Sequence, residues 1–352
     1  MSRVISKGTP QFKGDTTVFK SVIAILLVAG LSVTSAQAED PIPVTIVSFS
    51  APDSAHGRRW VQFEKNVEDT LGDRVALNML TGGQVGTEDN MLSSIRRGRA
   101  QMGIISIGAL AALVPELSLL VAPFLFESED EADFVMDRYL FAPYAELLAA
   151  RGLILAKWED GGWHQLYARK PLRAPADLAS YRLRSSATEA TRLFLSEVDA
   201  DVVVLDFGDI VAALDTGLVD GGVTTSVMYR VAGLYEEAPH FTLTRHAFAP
   251  GALLANKAWA DATPPDVVEA VLAAQGTMAD NRRLVRAEAV ESEESLRAAG
   301  ITIHELTDDE RQAWVAAAEP VHRKLIDSIG GDAERMYAIA QEGKRAFAAQ
   351  KN

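Results

Sequence analysis

The sequence predicts an α/β fold of two interwoven lobes with a cleft between them. Segments with strand patterns alternate with helical segments along most of the chain, as in sheets that are covered by helices. Continuous apolar strands such as residues 101–107 indicate burial on both faces, which is typical of largely parallel sheets. The chain has 352 residues, more than one hydrophobic core usually organises.

The first lobe is defined by alternating and helically spaced apolar residues. Predicted strands cover 43–49, 74–80, 101–107 and 153–158, and predicted helices cover 55–71, 88–97 and 128–150. Gly161 and Gly162 then interrupt the pattern. We therefore place a crossing into the second lobe at these glycines.

The second lobe repeats the alternation. Predicted strands cover 164–169, 181–184, 201–205, 219–223, 240–245 and 301–304, predicted helices cover 187–197, 208–216 and most of 308–350, and 251–256 is a strand that crosses back. This order predicts lobe I over 39–161 with 250–289, and lobe II over 162–249 with 290–352.

A long helix is predicted between the lobes. From Asp266 to Ala299 the pattern is helical, and Gly276 is its only breaker. About 34 residues at about 1.5 Å each would form a rod of roughly 50 Å. Such a rod exceeds the length of one lobe and would brace both.

Residues 1–38 have the pattern of an export signal. Basic residues precede an apolar run over 22–33, and Ala36-Gln37-Ala38 is a small-residue cleavage site. The run of about a dozen residues is shorter than the roughly 20 that span a membrane. The chain has no cysteine, which excludes a lipid on a mature amino-terminal cysteine. We expect cleavage near Ala38 and a periplasmic protein, with a retained anchor as the alternative.

The net charge argues against some partners. Forty-eight acidic and 34 basic residues give a formal charge of −14. An acidic chain repels nucleic acid and anionic membrane surfaces. Capture of a small anion stays possible because local donors, not total charge, set the affinity of a site.

Motifs for catalysis are missing from the sequence. It contains no cysteine nucleophile, no Gly-x-Ser-x-Gly elbow and no His-Glu-x-x-His zinc helix. His240 and His246 share a strand face by parity, but a metal site needs a third ligand. We predict no enzyme activity, no metal and no cofactor.

The stretch 171–229 carries the binding chemistry that we favour. A loop closed by Asp177 leads into the strand candidate 181–184, which ends at Arg184. A guanidinium stays charged and matches a carboxylate with two parallel hydrogen bonds. By spacing alone, an arginine at a strand end is more often a surface group or a structural ion-pair partner.

Ordered motifs in this stretch carry a family resemblance. They are Asp-Leu-x-x-x-x-x-Arg ending at Arg184, Phe-Gly-Asp-Ile from Phe207, and Ala-Leu-x-x-Gly-x-Val-Asp-Gly from Ala213. Together with Leu80 to Gly86 and Pro123-Phe124 upstream, they resemble the substrate-binding subunits of TRAP transporters, the DctP-type family. The resemblance implies a periplasmic binding protein fold with an interlobe cleft and a long bridging helix.

The resemblance also implies roles in the second lobe. Arg184 would hold the ligand carboxylate, and Phe207 would pack on its carbon chain unless it is a core residue. Thr224 stands where relatives often have an asparagine that bonds the acid, and a hydroxyl has fewer donors. His164 falls where some relatives place a second arginine, so a second charge clamp is not assured, and an ordinary packed histidine is the alternative.

Three further candidates remain, and the first two have a structural alternative each. Trp163 either walls the cleft or fills the boundary between the lobes. Glu88 begins a helix, where a carboxylate favours the dipole anyway, and relatives sometimes use this position to reach ligand hydroxyls. Ser106 could donate one hydrogen bond from the end of its strand.

The sequence therefore predicts a binding protein that captures a small organic acid and delivers it to a TRAP transporter. Closure of the lobes would mark the loaded state for membrane subunits that use an ion gradient. The alternatives are presentation of the loaded state to a signalling receptor and turnover by a periplasmic enzyme. The identity of the acid stays open, as does the oligomeric state, for which a monomer is the family's usual case.

Overall fold

The computed structural model describes residues 40–52 and 54–350, which form two mixed sheets flanked by helices. The strands are β1 (Ile42–Val47), β2 (Val75–Leu80), β3 (Met102–Ser106), β4 (Leu153–Glu159), β5 (Trp163–Ala168), β6 (Arg182–Ser185), β7 (Asp201–Val204), β8 (Gly221–Thr225), β9 (His240–Phe248), β10 (Gly251–Asn256) and β11 (Thr302–Glu305). The first sheet has the order β2-β1-β3-β10-β4, and the second has the order β11-β9-β5-β8-β6-β7. The two-lobed α/β architecture predicted from the sequence is confirmed.

The helices cover both sheets. They are α1 (Ala55–Leu71), α2 (Glu88–Arg96), α3 (Ile107–Leu110), α4 (Glu129–Val135), α5 (Phe141–Ala149), α6 (Glu189–Glu197), α7 (Ile210–Asp215), α8 (Ser226–Val231), α9 (Lys257–Ala262), α10 (Pro265–Ala274), α11 (Met278–Ala298), α12 (Asp308–Ile329) and α13 (Ala333–Ala349). Among the described residues, no helix combines the length and the hydropathy of a membrane span. The predicted export signal lies outside the described residues.

The sheets are mixed, whereas the sequence favoured largely parallel ones. Strand β10 is antiparallel to β3 and β4, and β5 is antiparallel to β8 and β9. The cause is the way in which the chain changes sheets. Only residues 160–162 join β4 to β5, and only residues 249–250 join β9 to β10. Each entering strand begins at the edge where a strand of its new sheet ends, β10 opposite Ser106 of β3 and β5 opposite Thr225 of β8, so it runs antiparallel to that strand.

The strand directions bring the site together. Gly251, the first residue of β10, pairs with Ser106 and Glu159 at the ends of β3 and β4. In the second sheet, His164 near the start of β5 pairs with Thr225 at the end of β8. The carboxyl ends of the parallel strands therefore lie where the chain crosses between the sheets, which is where open α/β sheets bind ligands.

The bridging helix exists but is shorter than predicted. The single helix expected over 266–299 is wrong, because α10 and α11 are separated at Gly276, whose φ is +79°. The Thr277 side chain accepts a hydrogen bond from the Asp280 N–H and so begins a new helix. Helix α11 packs against α1 and β4 of the first sheet and against α8 and β11 of the second. Its 21 residues therefore brace both lobes.

Replacing Thr277 by alanine should lower the free energy of unfolding by about 1 kcal/mol, because the first turn of α11 loses its cap. Thr277→Ser keeps the hydroxyl and should stay close to the parent. Urea denaturation of the three proteins measures both effects. Equal stability of the alanine variant and the parent would contradict a capping role.

The helix predicted over 128–150 is continuous but contains a π turn over Met136–Leu140. Pro143 follows in α5. A proline has no N–H to donate to the carbonyl four residues earlier, so a helix must adapt around it. That carbonyl belongs to Tyr139, which lies within the π turn.

The carboxyl-terminal helices α12 and α13 contact elements on the sides of both sheets. Helix α12 packs on α6 and β9, whereas α13 packs on α4 and on the π turn that follows it. All strands of each sheet fall within the segments predicted for one lobe. The exact boundaries between the lobes, including the place of α13, stay a prediction.

Candidate functional site

Arg184 is a buried cation without a carboxylate partner in the described part of the chain. It lies in β6 with 7% of its surface exposed, and its Nε donates to the Leu205 carbonyl at 3.0 Å. Burial lowers the pKa of Arg184, while Tyr167 and the exposed Asp206 act in the opposite direction without forming an ion pair. An arginine nevertheless stays protonated. A buried charge without a partner is costly, so an anion that binds beside it lowers the free energy strongly.

Tyr167 lies beside Arg184 and was not among the residues predicted from the sequence. Both residues pair with Gly222, from β5 on one side and β6 on the other. A Cβ on Gly222 would lie 2.5 Å from the Tyr167 hydroxyl, so only glycine leaves room for that side chain. The Tyr167 hydroxyl is buried and has no hydrogen-bond partner among the described residues. The alternation of β5 offers the only sequence signal for this position.

His164 and His246 form a second polar group near Arg184. Their ring centroids are 6.2 Å apart, and His246 stacks on Phe194 at 5.0 Å. His164 Nδ1 and His246 Nε2 are buried without a partner in the described chain. Burial and then the charge of Arg184 lower the pKa of His164 to about 4, and burial and His164 lower the pKa of His246 as well. Both rings are therefore neutral at neutral pH.

A bulge in β9 places His246. The pairing of β9 with β5 shifts register between His164 and Leu166, and Arg245 adopts a φ of +44° while its N–H donates to the Gln165 side chain at 2.7 Å. Beyond the bulge, Thr244 Oγ1 lies 2.7 Å from His246 Nδ1. The parity that predicts a shared face for His240 and His246 does not carry across such an irregularity. His240 instead contacts His304, with Nδ1 and Nε2 at 3.1 Å.

The other predicted residues of the second lobe have mixed surroundings. Thr224 is buried in β8 and pairs with Gln165. Phe207 is partly buried against the apolar cluster that includes Tyr229. Trp163 packs edge-on against Phe248 at 5.3 Å and its side chain bonds to Glu129, and whether it also walls the cleft stays a prediction.

Glu88 at the start of α2 and Ser106 at the end of β3 bond to each other. The Glu88 carboxylate accepts from the Ser106 N–H at 2.8 Å and from its hydroxyl at 2.7 Å. Burial raises the pKa of Glu88, and these two bonds oppose the rise. A Cβ on Gly108 would lie 3.0 Å from Thr188 Oγ1 and 3.7 Å from Ser106 Oγ, so this pair lies where α3 meets the loop before α6. The structure gives no direct contact between this pair and Arg184.

The buried His164 predicts a loss of stability on mild acidification. Its ordinary pKa of 6.5 applies to the unfolded chain, and its pKa is about 4 when folded, so the unfolded state binds more protons between these values. The free energy of unfolding should therefore fall as the pH drops from 6.5 towards 4, by up to about 1.4 kcal/mol per pH unit for one group.

His164→Gln should reduce the slope of the free energy of unfolding against pH by up to about 1.4 kcal/mol per pH unit, because one group fewer takes up a proton on unfolding. Urea denaturation of parent and variant at pH 7, 6 and 5 measures the difference, which isolates His164 from His246 and other buried histidines. Parallel stability curves for the two proteins would show that His164 does not contribute.

Comparisons with known proteins identify the family. The model of the DctP family, described as bacterial extracellular solute-binding protein family 7, matches residues 46–328. The chain belongs to this family. That membership confirms the resemblance found in the sequence and favours the predicted transport function over presentation to a signalling receptor.

Relatives of this DctP-family chain are distant but similar over most of their length. It is 26% identical over 299 residues to the C4-dicarboxylate-binding periplasmic protein DctP of Rhodobacter capsulatus, covering 83% of this chain and 89% of that protein. It is 25% identical over 325 residues to the 2,3-diketo-L-gulonate-binding periplasmic protein YiaO of Escherichia coli, covering 91% and 98%.

Solved structures agree on the fold. The sugar acid binding protein DctPAm of Advenella mimigardefordensis, in complex with galactonate, superposes with a TM-score of 0.80 at 23% identity. The match covers 86% of this chain and 99% of that one. At this identity the likeness establishes the two-lobed architecture and leaves the ligand open.

Proposed function

We propose that this DctP-family protein captures a small organic acid outside the cytoplasm and delivers it to the membrane subunits of a TRAP transporter. The observation that carries the proposal is Arg184, a buried guanidinium that forms no ion pair with any described residue. Relatives named for C4-dicarboxylates and for 2,3-diketo-L-gulonate support an acid as the cargo.

In this proposal, Arg184 holds the carboxylate, and Thr224, His164 and Phe207 surround the ligand from the second sheet. Glu88 and Ser106 approach from the first sheet, close to the contact between Gly108 and Thr188. A ligand that touches both sheets favours the closed arrangement, because only that arrangement makes both sets of contacts. Trp163 supports the crossing between the sheets.

The proposal also includes the remaining expectations from the sequence. The protein binds its acid without turning it over, acts in the periplasm after cleavage near Ala38, and works as a monomer. Family members are solute-binding transport proteins, which supports binding in place of catalysis. Mass spectrometry of the acid after incubation with the protein tests for turnover.

A thermal-shift screen of the purified protein against a set of organic acids tests the function. At least one acid should raise the melting temperature, since binding to the folded state stabilises by mass action. Native mass spectrometry of the protein as purified can identify a retained acid. A set of mono-, di-, keto and sugar acids that produces no shift would overturn the proposal.

A further inference from the structure

We propose that the site selects acids with a single carboxylate and neutral oxygen groups, and that it rejects acids whose second carboxylate would lie beside His164. This inference rests on the proposed function, because it specifies the class of acid which that function leaves open. It derives from the charges and the unpartnered polar atoms around Arg184.

The cations around the site decide how many carboxylates it can neutralise. Among the described residues, Arg184 is the one cation that acts on the pKa of His164, and no lysine or other arginine acts on that of Arg184. Arg311 donates to the Thr244 carbonyl, and Arg245 is exposed on the bulge of β9. Arg182, two residues before Arg184, pairs with Asp220. A single guanidinium can neutralise a single carboxylate.

His164 does not supply another positive charge. The titratable groups beside it are the cation Arg184 and the neutral ring of His246, which stacks on the buried Phe194. Protonation of His164 would place a second positive charge beside the first in a buried setting. The low pKa of His164 is consistent with this geometry. A second carboxylate at this place would stay unpaired, which is costly when the charge is buried.

The remaining polar atoms around Arg184 belong to neutral groups. Three of them are buried without a partner among the described residues: the Tyr167 hydroxyl, His164 Nδ1 and His246 Nε2. A hydroxyl can donate or accept, and so can a neutral imidazole, depending on the tautomer. Such groups match the hydroxyl or keto oxygens of a ligand without adding charge. Buried polar groups of this kind also disfavour a purely hydrocarbon acid, which would leave them unpaired.

Two matched pairs of acids test the inference on the unmodified protein. Calorimetric affinities for D-gluconate and D-glucarate compare a six-carbon polyhydroxy monoacid with its diacid, and succinamate and succinate compare an amide with a carboxylate at one end. We expect the monoacid of at least one pair to bind on the order of 100-fold more tightly than its diacid. Diacids that bind as tightly as their monoacids would overturn the inference and leave the proposed function intact.

A charge-gain variant provides the second test. His164→Arg should reduce the preference for the monoacid to less than about tenfold, because the added guanidinium can pair with the second carboxylate. His240→Arg adds the same charge to the same sheet at the contact with His304 and should leave the preference unchanged. A preference that His240→Arg abolishes equally would point to overall charge and overturn the inference. If none of the four acids binds the parent, the inference falls, and the wider screen decides separately on the proposed function.

Discussion

Replacing Arg184 by methionine should weaken binding of the captured acid by roughly 150- to 5,000-fold. The guanidinium is the charged partner of the ligand carboxylate in the proposed complex, and removal of one partner from a buried ion pair costs about 3–5 kcal/mol. Isothermal titration with the most tightly binding acid of the screen measures the loss. Arg184→Lys should recover only part of it, since an ammonium keeps the charge but not the two-pronged geometry.

The same substitution should make the ligand-free protein more stable, by about 1 kcal/mol, because it removes a buried charge that has no carboxylate partner. Urea denaturation without ligand measures this effect. Arg182→Met is the matched control, because Arg182 lies in the same strand but is exposed and paired with Asp220. It should leave binding unchanged. A variant at Arg184 that binds as well as the parent would refute the assigned role.

Replacing Glu159 by alanine should lower the free energy of unfolding by about 3–5 kcal/mol. The Glu159 side chain is 1% exposed, and its carboxylate lies 2.6 Å from Arg59 and 3.4 Å from Lys157. Both cations are themselves buried and also donate to the Gln275 carbonyl, at the break between α10 and α11. The substitution therefore leaves two buried positive charges without their carboxylate.

Chemical denaturation at neutral pH measures this loss. Glu305→Ala is the control, because Glu305 and its partner Arg297 are 64% and 44% exposed in their side chains. Exposed pairs contribute about 0–1 kcal/mol, so the control should unfold near the parent. A loss below about 1 kcal/mol for Glu159→Ala would mean that water or rearranged groups compensate the two cations.

Local patterns in the sequence predicted most elements and singled out Arg184, whose role in binding stays a prediction. Strand β10 and helix α1 have the predicted bounds, because their burial follows directly from apolar spacing. Arg184 was found because a short ordered motif surrounds it. The division of the long helix was missed, since Gly276 alone is a weak breaker and the cap formed by Thr277 and Asp280 was not recognised.

The sequence by itself determined the alternation of strands and helices, the family and the position of Arg184, because each depends on residues that are neighbours along the chain. Only the tertiary structure placed Tyr167 across Gly222 and brought His246 near His164. Both depend on register between distant segments: Gln165 meets Arg245, 80 positions further on, at the bulge of β9. Spacing along a strand records which residues face the core, but strand pairing and its irregularities decide which side chains meet.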